Sequence, residues 1–140
     1  MRFDANAGIT AAFVLNNYRR EQLIQILQDY GEEPMTKKIV AAICDYRKKK
    51  KFETTLELNN LILENSSIPK SNTRVFQALR IEVNKELDTL KSSLSDAITM
   101  LESNGHIFVI SFHSLEDRIV KQLFKRETRD CICTDLICSC

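Results

Sequence analysis

The sequence predicts a mainly α-helical chain that carries a single strand of an α/β sheet. Three observations lead there. Apolar residues recur at three- and four-residue spacing through most of the chain, the period of amphipathic helices. One short run, Ile107-Phe108-Val109-Ile110, is apolar without interruption, the pattern of a strand covered on both faces. No other segment has comparable strand character, so this ribbon has no neighbour with which to pair its backbone groups. The chain therefore reads as part of a larger scaffold.

Taken in order, the elements begin with Thr10, placed to cap a short helix through Asn16. Leu23, Ile24, Leu27 and Tyr30 form the apolar stripe of a second helix, which Gly31 is expected to end through its tolerance of a left-handed backbone. Pro34 suits the first turn of a third helix, carrying Met35, Ile39, Ala42, Ile43 and Tyr46. It closes on Arg47-Lys48-Lys49-Lys50-Lys51, positive charge that suits a helix C-terminus. Thr54 or Thr55 starts a fourth helix with Leu58, Leu61 and Ile62, and the polar stretch from Glu64 to Asn72 is the best boundary in the chain.

Beyond that boundary Phe76, Leu79, Val83, Leu87, Leu90, Leu94, Ala97 and Leu101 step by threes and fours. The spacing predicts one long helix from Arg74 to Leu101, roughly 42 Å at about 1.5 Å per residue. Ser103-Asn104-Gly105 breaks it before the strand. Ser114 is a candidate N-cap for the last helix, with Asp117 as its capping-box partner, and Leu115, Ile119, Val120, Leu123 and Phe124 form the buried face.

Composition narrows the class. With 140 residues, 44% of them hydrophobic and 28% charged, the chain belongs among soluble globular proteins with a real core. No apolar run approaches the length of a membrane span. Met1-Arg2-Phe3-Asp4 lacks the basic flank and apolar core of a secretory signal, so a cytoplasmic location and reduced thiols are expected. A net charge of +1 excludes strong whole-surface attraction to nucleic acid but leaves room for a local basic patch.

Several segments together carry a resemblance. Arg74-Val75-Phe76-Gln77-Ala78-Leu79-Arg80-Ile81-Glu82-Val83-Asn84-Lys85-Glu86-Leu87, and then Ile110-Ser111-Phe112-His113-Ser114-Leu115-Glu116-Asp117-Arg118-Ile119-Val120-Lys121, closely resemble the small-subunit rRNA (cytosine-N4-)methyltransferase family, type H. Met1-Arg2-Phe3-Asp4 is similar to that family's Met-Arg-Met-Asp segment, and Tyr30-Gly31-Glu32-Glu33 to its Tyr-Gly-Glu-Glu segment, in the same order along the chain. The resemblance implies a Rossmann-like methyltransferase sheet, S-adenosylmethionine as donor, a helical insertion that recognises RNA, and a cytidine of 16S rRNA in the small ribosomal subunit as substrate. It is a resemblance to the C-terminal portion of such enzymes. The glycine-rich donor loop and the acidic ribose-binding residue of the family have no counterpart here; only Gly8, Gly31 and Gly105 are glycine, and no Gly-x-Gly occurs.

On this reading the fold is mainly α, derived from an α/β Rossmann-like methyltransferase fold with a helical insertion and one strand. Residues 1–70 are the RNA-recognition-like helical insertion, 71–130 a partial methyltransferase domain of long helix, strand and helix, and 131–140 a cysteine-rich tail. The candidate substrate pocket comprises Arg2 and Asp4, from the segment resembling Met-Arg-Met-Asp, and His113, Ser114, Glu116, Asp117 and Arg118, where a strand end meets a helix N-terminus. Capping by Ser114 and Asp117, and surface pairing of Glu116 with Arg118, is the plainer alternative. No residue is assigned as catalytic base. Candidate contacts to the RNA backbone are Arg47, Lys48, Lys49, Lys50, Lys51, Arg74 and Arg80, against a solvated helix end or pairing with Glu82 and Asp88.

In the tail, Cys131, Cys133, Cys138 and Cys140 supply the number of thiolates a structural zinc needs, although two Cys-x-Cys pairs differ from the usual knuckle; free reduced thiols are the alternative. Two functions follow. The chain is a member or fragment of an S-adenosylmethionine-dependent rRNA methyltransferase, predicted inactive alone because the donor half is absent and completed by a missing N-terminal half or a second subunit. Otherwise it is a non-catalytic helical module that binds RNA or protein.

Overall fold

The computed structural model describes residues 8–128, which contain seven helices. They are α1 (Ala11–Asn17), α2 (Arg20–Asp29), α3 (Thr36–Lys49), α4 (Thr55–Asn65), α5 (Ser71–Asn84), α6 (Glu86–Thr99) and α7 (Ser114–Glu127). The chain divides into two compact units, one through Glu86 and one from Leu87.

In the first unit each helix turns its apolar stripe inward. Val14 and Leu15 of α1, Leu23, Ile26 and Leu27 of α2, Ile39, Val40 and Ile43 of α3, and Leu58, Leu61 and Ile62 of α4 are all buried, as are Val75, Ala78, Leu79 and Val83 of α5. Helix α5 packs against α1, α2 and α4, while α3 packs against α1, α2 and α4. Truncating one of the fully buried leucines, such as Leu79, to alanine costs about 2–5 kcal/mol in such a setting.

Polar side chains lock the connections. Asn16 donates through Nδ2 to the Phe52 carbonyl at 3.0 Å and accepts the Phe52 N–H at 2.9 Å, clamping the α3–α4 loop onto α1. The Phe52 ring stacks on Tyr46, with centroids 4.4 Å apart. Thr54 caps α4, accepting from the Glu57 N–H at 3.3 Å while Glu57 accepts from the Thr54 N–H at 3.0 Å. Between α2 and α3, the buried Glu33 carboxylate accepts from the Met35 N–H at 2.9 Å, the Ser71 hydroxyl at 3.1 Å and Arg74 Nε at 2.7 Å. One carboxylate thus ties a loop to the first turn of α5.

Several sequence expectations are corrected. Gly31 is not left-handed; that conformation falls on Glu32, at φ 46°. Gly31 is required for space instead, since a Cβ there would lie 2.8 Å from the Leu27 carbonyl oxygen and 2.9 Å from that of Arg74. Pro34 precedes α3 rather than occupying its first turn, because the Glu33 carboxylate and carbonyl hold the chain until Thr36. The single long helix is interrupted at Lys85, whose φ of 52° and ψ of 39° are left-handed. There the Asn84 side chain donates to the Arg80 carbonyl at 2.8 Å, Lys85 pairs with Glu82 at 2.8 Å, and Arg80 grips the Glu86 carboxylate through Nε and Nη2. These side-chain bonds fix the break while the apolar spacing runs on across it.

In the second unit Leu94 of α6 and Leu115 and Val120 of α7 are buried. The N-cap of α7 is His113, not Ser114, and its box partner is Glu116, not Asp117, one residue earlier than expected. The strand expected at Ile107 to Ile110 is absent, and no strand occurs among the described residues. A strand exists only where a second backbone completes its ladder, and these residues supply none. What remains is an open ribbon on which Phe108, Ile110 and Phe112 are 89%, 83% and 92% exposed, while Ile107, Val109 and Ser111 are partly covered.

Candidate nucleic-acid interface

Basic residues gather where α3 ends and α2 begins. Arg47, Lys48 and Lys49 occupy the last turn of α3, where positive charge meets the negative end of the helix dipole. Their roles diverge. Arg47 turns inward and donates through Nη1 to the carbonyls of Leu15 at 2.9 Å and Tyr18 at 2.6 Å, satisfying oxygens left open at the end of α1. Lys50 pairs with Glu57; that contact, followed by the backbone N–H groups of Glu53 and Thr54, pulls the Glu57 carboxyl down to about 2. Lys48 pairs with Asp45 at 2.7 Å, both side chains largely in water, an arrangement of small energetic weight.

Asp45 reports which other cations stand close. Its carboxyl is held below the ordinary range by Lys48 first and then by the charges of Lys49 and Arg20. Arg20 therefore shares this surface; Arg19, its neighbour in the chain, is exposed, as are Lys49 and Lys51 at the end of α3 and just beyond it. Sequence reasoning missed Arg19 and Arg20; the available signal was an adjacent arginine pair just before a helical period.

Arg74 and Arg80 are committed elsewhere. Arg74 serves Glu33, and its Nη2 also donates to the Ser71 hydroxyl at 3.2 Å. Arg80 binds Glu86 in a two-pronged grip at 2.9 and 3.0 Å. Both guanidinium groups therefore hold the first unit together.

In the second unit His113 and Glu116 brace the start of α7. Glu116 Oε2 accepts the Phe112 N–H at 2.8 Å, and the Glu116 N–H reaches His113 Nδ1 at 3.4 Å. With Nδ1 accepting, a neutral imidazole carries its proton on Nε2. That atom is buried and makes no hydrogen bond, although Glu116 Oε1 lies 3.3 Å away out of alignment. Asp117 pairs with Lys121 at 2.8 Å along the helix. Ser114 and Arg118 stand on the first turns of the same helix. Arg2 and Asp4, and the tail cysteines Cys131, Cys133, Cys138 and Cys140, lie outside the described residues.

The whole chain, not this surface alone, matches known proteins. Residues 1–140 match the family described as the MraW methylase family. The chain belongs to that family. It is 46% identical over its whole length to a ribosomal RNA small subunit methyltransferase H of Caldicellulosiruptor bescii, covering 48% of that protein. A protein of the same name from Syntrophotalea carbinolica is 43% identical over the whole chain, which covers 47% of it, and one from Sulfurihydrogenibium is 47% identical over 90% of the chain, covering 45%. The chain thus spans about half the length of the curated relatives it matches. Among its described residues no helix is long and apolar enough to cross a membrane.

Proposed function

We propose that this chain is one part of an S-adenosylmethionine-dependent 16S rRNA cytosine-N4 methyltransferase, contributing RNA-binding helices and a wall of the substrate pocket. The observation that carries this reading is the family match along all 140 residues by a chain half as long as its relatives. The donor is assigned to the portion of the relatives that the chain does not span. A donor cradle needs a glycine-rich turn whose N–H groups face the ligand. Gly31 instead packs against Leu27 and Arg74, and Gly105 against Glu102, so these two glycines do not fit that task, and Gly8 stands without a second glycine near it in sequence.

Methylation of an exocyclic amine demands an in-line approach and an acceptor for the proton released. His113, Ser114, Glu116, Asp117 and Arg118 are proposed to line the cytidine pocket; Arg2 and Asp4, outside the described residues, are proposed as substrate contacts on the strength of the family resemblance. In the tautomer described above His113 Nε2–H is a buried donor without a partner, which does not suit deprotonating a base. Lys48, Lys49 and Lys51, joined by Arg19 and Arg20, are proposed to meet RNA phosphates in the cytoplasm; the inward bonds of Arg47, Arg74 and Arg80 favour structural roles for them. Zinc at the four tail cysteines is a further proposal, tested by metal content before and after chelation.

The open ribbon from Ile107 to Phe112 supports a requirement for the missing half, because its backbone and alternate apolar side chains match what a neighbouring strand would cover. Titrating S-adenosylmethionine into the chain alone should give no binding. Co-expression with the uncovered portion of the Caldicellulosiruptor bescii relative should restore binding and methyl transfer to small-subunit RNA. Micromolar donor binding by the chain alone would overturn the proposal.

A second reading, an autonomous non-catalytic RNA-binding module, is favoured by one feature: the first unit closes a core of its own. RNA binding without methyl transfer in the co-expressed pair would select it.

A further inference from the structure

On the first unit, α2, the α1–α2 junction and α5 line an open-sided cavity of about 190 Å³. It is lined by the polar residues Tyr18, Gln22, Gln25, Asp29, Tyr30 and Glu82, with Ile26 as its apolar part. The volume is below the roughly 300–1,000 Å³ of sites for drug-sized ligands, and it suits a single planar heterocycle. Tyrosines are preferred partners for an unstacked base, and amides and carboxylates read its edge.

Charge selects the ligand further. Asp29 and Glu82 would repel a phosphate entering the cavity, yet exposed Arg19 and Arg20 follow Tyr18 directly in the chain. Glu82 accepts the Tyr18 hydroxyl at 2.8 Å and Lys85 Nζ at 2.8 Å, both on Oε1. Burial, then the contact with Glu82, pushes the Tyr18 hydroxyl up to about 12, so it stays a neutral donor to that carboxylate. The carboxylates of Glu82 and Asp29 offer only lone pairs, and such acceptors match the amino groups of cytosine, adenine and guanine, whereas uracil presents a single N3–H flanked by two carbonyls that repel a carboxylate.

We propose that this cavity receives one unstacked, amino-bearing base of single-stranded RNA, with the neighbouring phosphates on Arg19 and Arg20. The inference rests on the RNA-binding reading given above and adds to it a base preference and a location.

Fluorescence anisotropy of the full chain with short labelled oligocytidylate and oligouridylate, over a range of salt, tests it. The two bases have the same size and differ on the pairing edge, where cytosine carries an amino donor beside an N3 acceptor and uracil a carbonyl beside an N3–H. One well-placed contact of this kind discriminates by about 1–3 kcal/mol, so oligocytidylate should bind at least about fivefold more tightly. The exposed pair Gln25→Ala and Asp29→Ala should bring the ratio of the two affinities toward one; the ratio cancels the uniform gain from removing a negative charge. Equal affinities in the unmodified chain, or a ratio untouched by the substitutions, would overturn the base site while salt-dependent binding kept the RNA reading intact. Absence of salt-dependent binding to either oligomer would sink both.

Discussion

Glu33 is the most informative residue to perturb, because its loss separates scaffold from RNA contact. Its side chain is fully buried, and the partner Arg74 keeps 26% of its side-chain surface in water. Replacing Glu33 with alanine leaves the Met35 N–H without its acceptor and strands the Arg74 guanidinium against the first turn of α5. Removing one member of a buried pair costs about 3–5 kcal/mol, and the quarter-exposed arginine, which can turn toward water, places this case near the lower bound, about 3 kcal/mol. With a urea m-value of about 2 kcal/mol/M the midpoint should fall by about 1.5 M at unchanged slope. Arg74→Ala should cost less, about 2 kcal/mol, and the double variant should show coupling above about 1 kcal/mol. A Glu33→Ala loss under about 0.5 kcal/mol, or an Arg74→Ala variant that keeps its stability yet loses RNA affinity, would refute this account of the motif.

Three further expectations concern the same unit. Gly31→Ala should destabilise by about 1–3 kcal/mol in denaturant titration, because the added Cβ would come within 2.8 and 2.9 Å of backbone oxygens that cannot step aside. Arg47→Ala should lower stability by about 1.5–3 kcal/mol through the loss of two charge-assisted bonds, whereas Lys49→Ala and Lys51→Ala should leave stability within about 0.5 kcal/mol and each reduce the salt slope of RNA binding by about 0.7. Tyr18, raised from 10.0 to about 12, contributes stability that is complete below pH 10.0 and is lost as pH rises through about 12, since there the unfolded chain has already released its proton. Ultraviolet titration of tyrosinate should show one late-ionising tyrosine, and Glu82→Gln should bring it back toward the ordinary range.

The helical stripes were legible because burial follows the helical period directly: Leu23 and Leu27, Ile39 and Ile43, and Leu58, Leu61 and Ile62 all lie in the core. The interruption at Lys85 was not, because Val83, Leu87 and Leu90 keep their spacing across one residue whose conformation is set by side-chain bonds from Arg80, Glu82, Asn84 and Glu86. The cap of α7 was misplaced by one residue because Ser outranks His as a cap; the glutamate three residues after His113 was the usable clue. Arg47 and Arg74 looked like outward cations because their acceptors, the Leu15 carbonyl and the Glu33 carboxylate, are distant in sequence. The ribbon at Ile107 was read correctly as apolar and wrongly as a strand, since apolarity is local and pairing is not.

That ribbon has a consequence for how such a polypeptide survives. A segment with Phe108, Ile110 and Phe112 bared to water invites association with any suitable edge, including the same stretch in another copy. On the proposed reading, capture by the companion portion competes with self-association of this segment, and dilution favours the former.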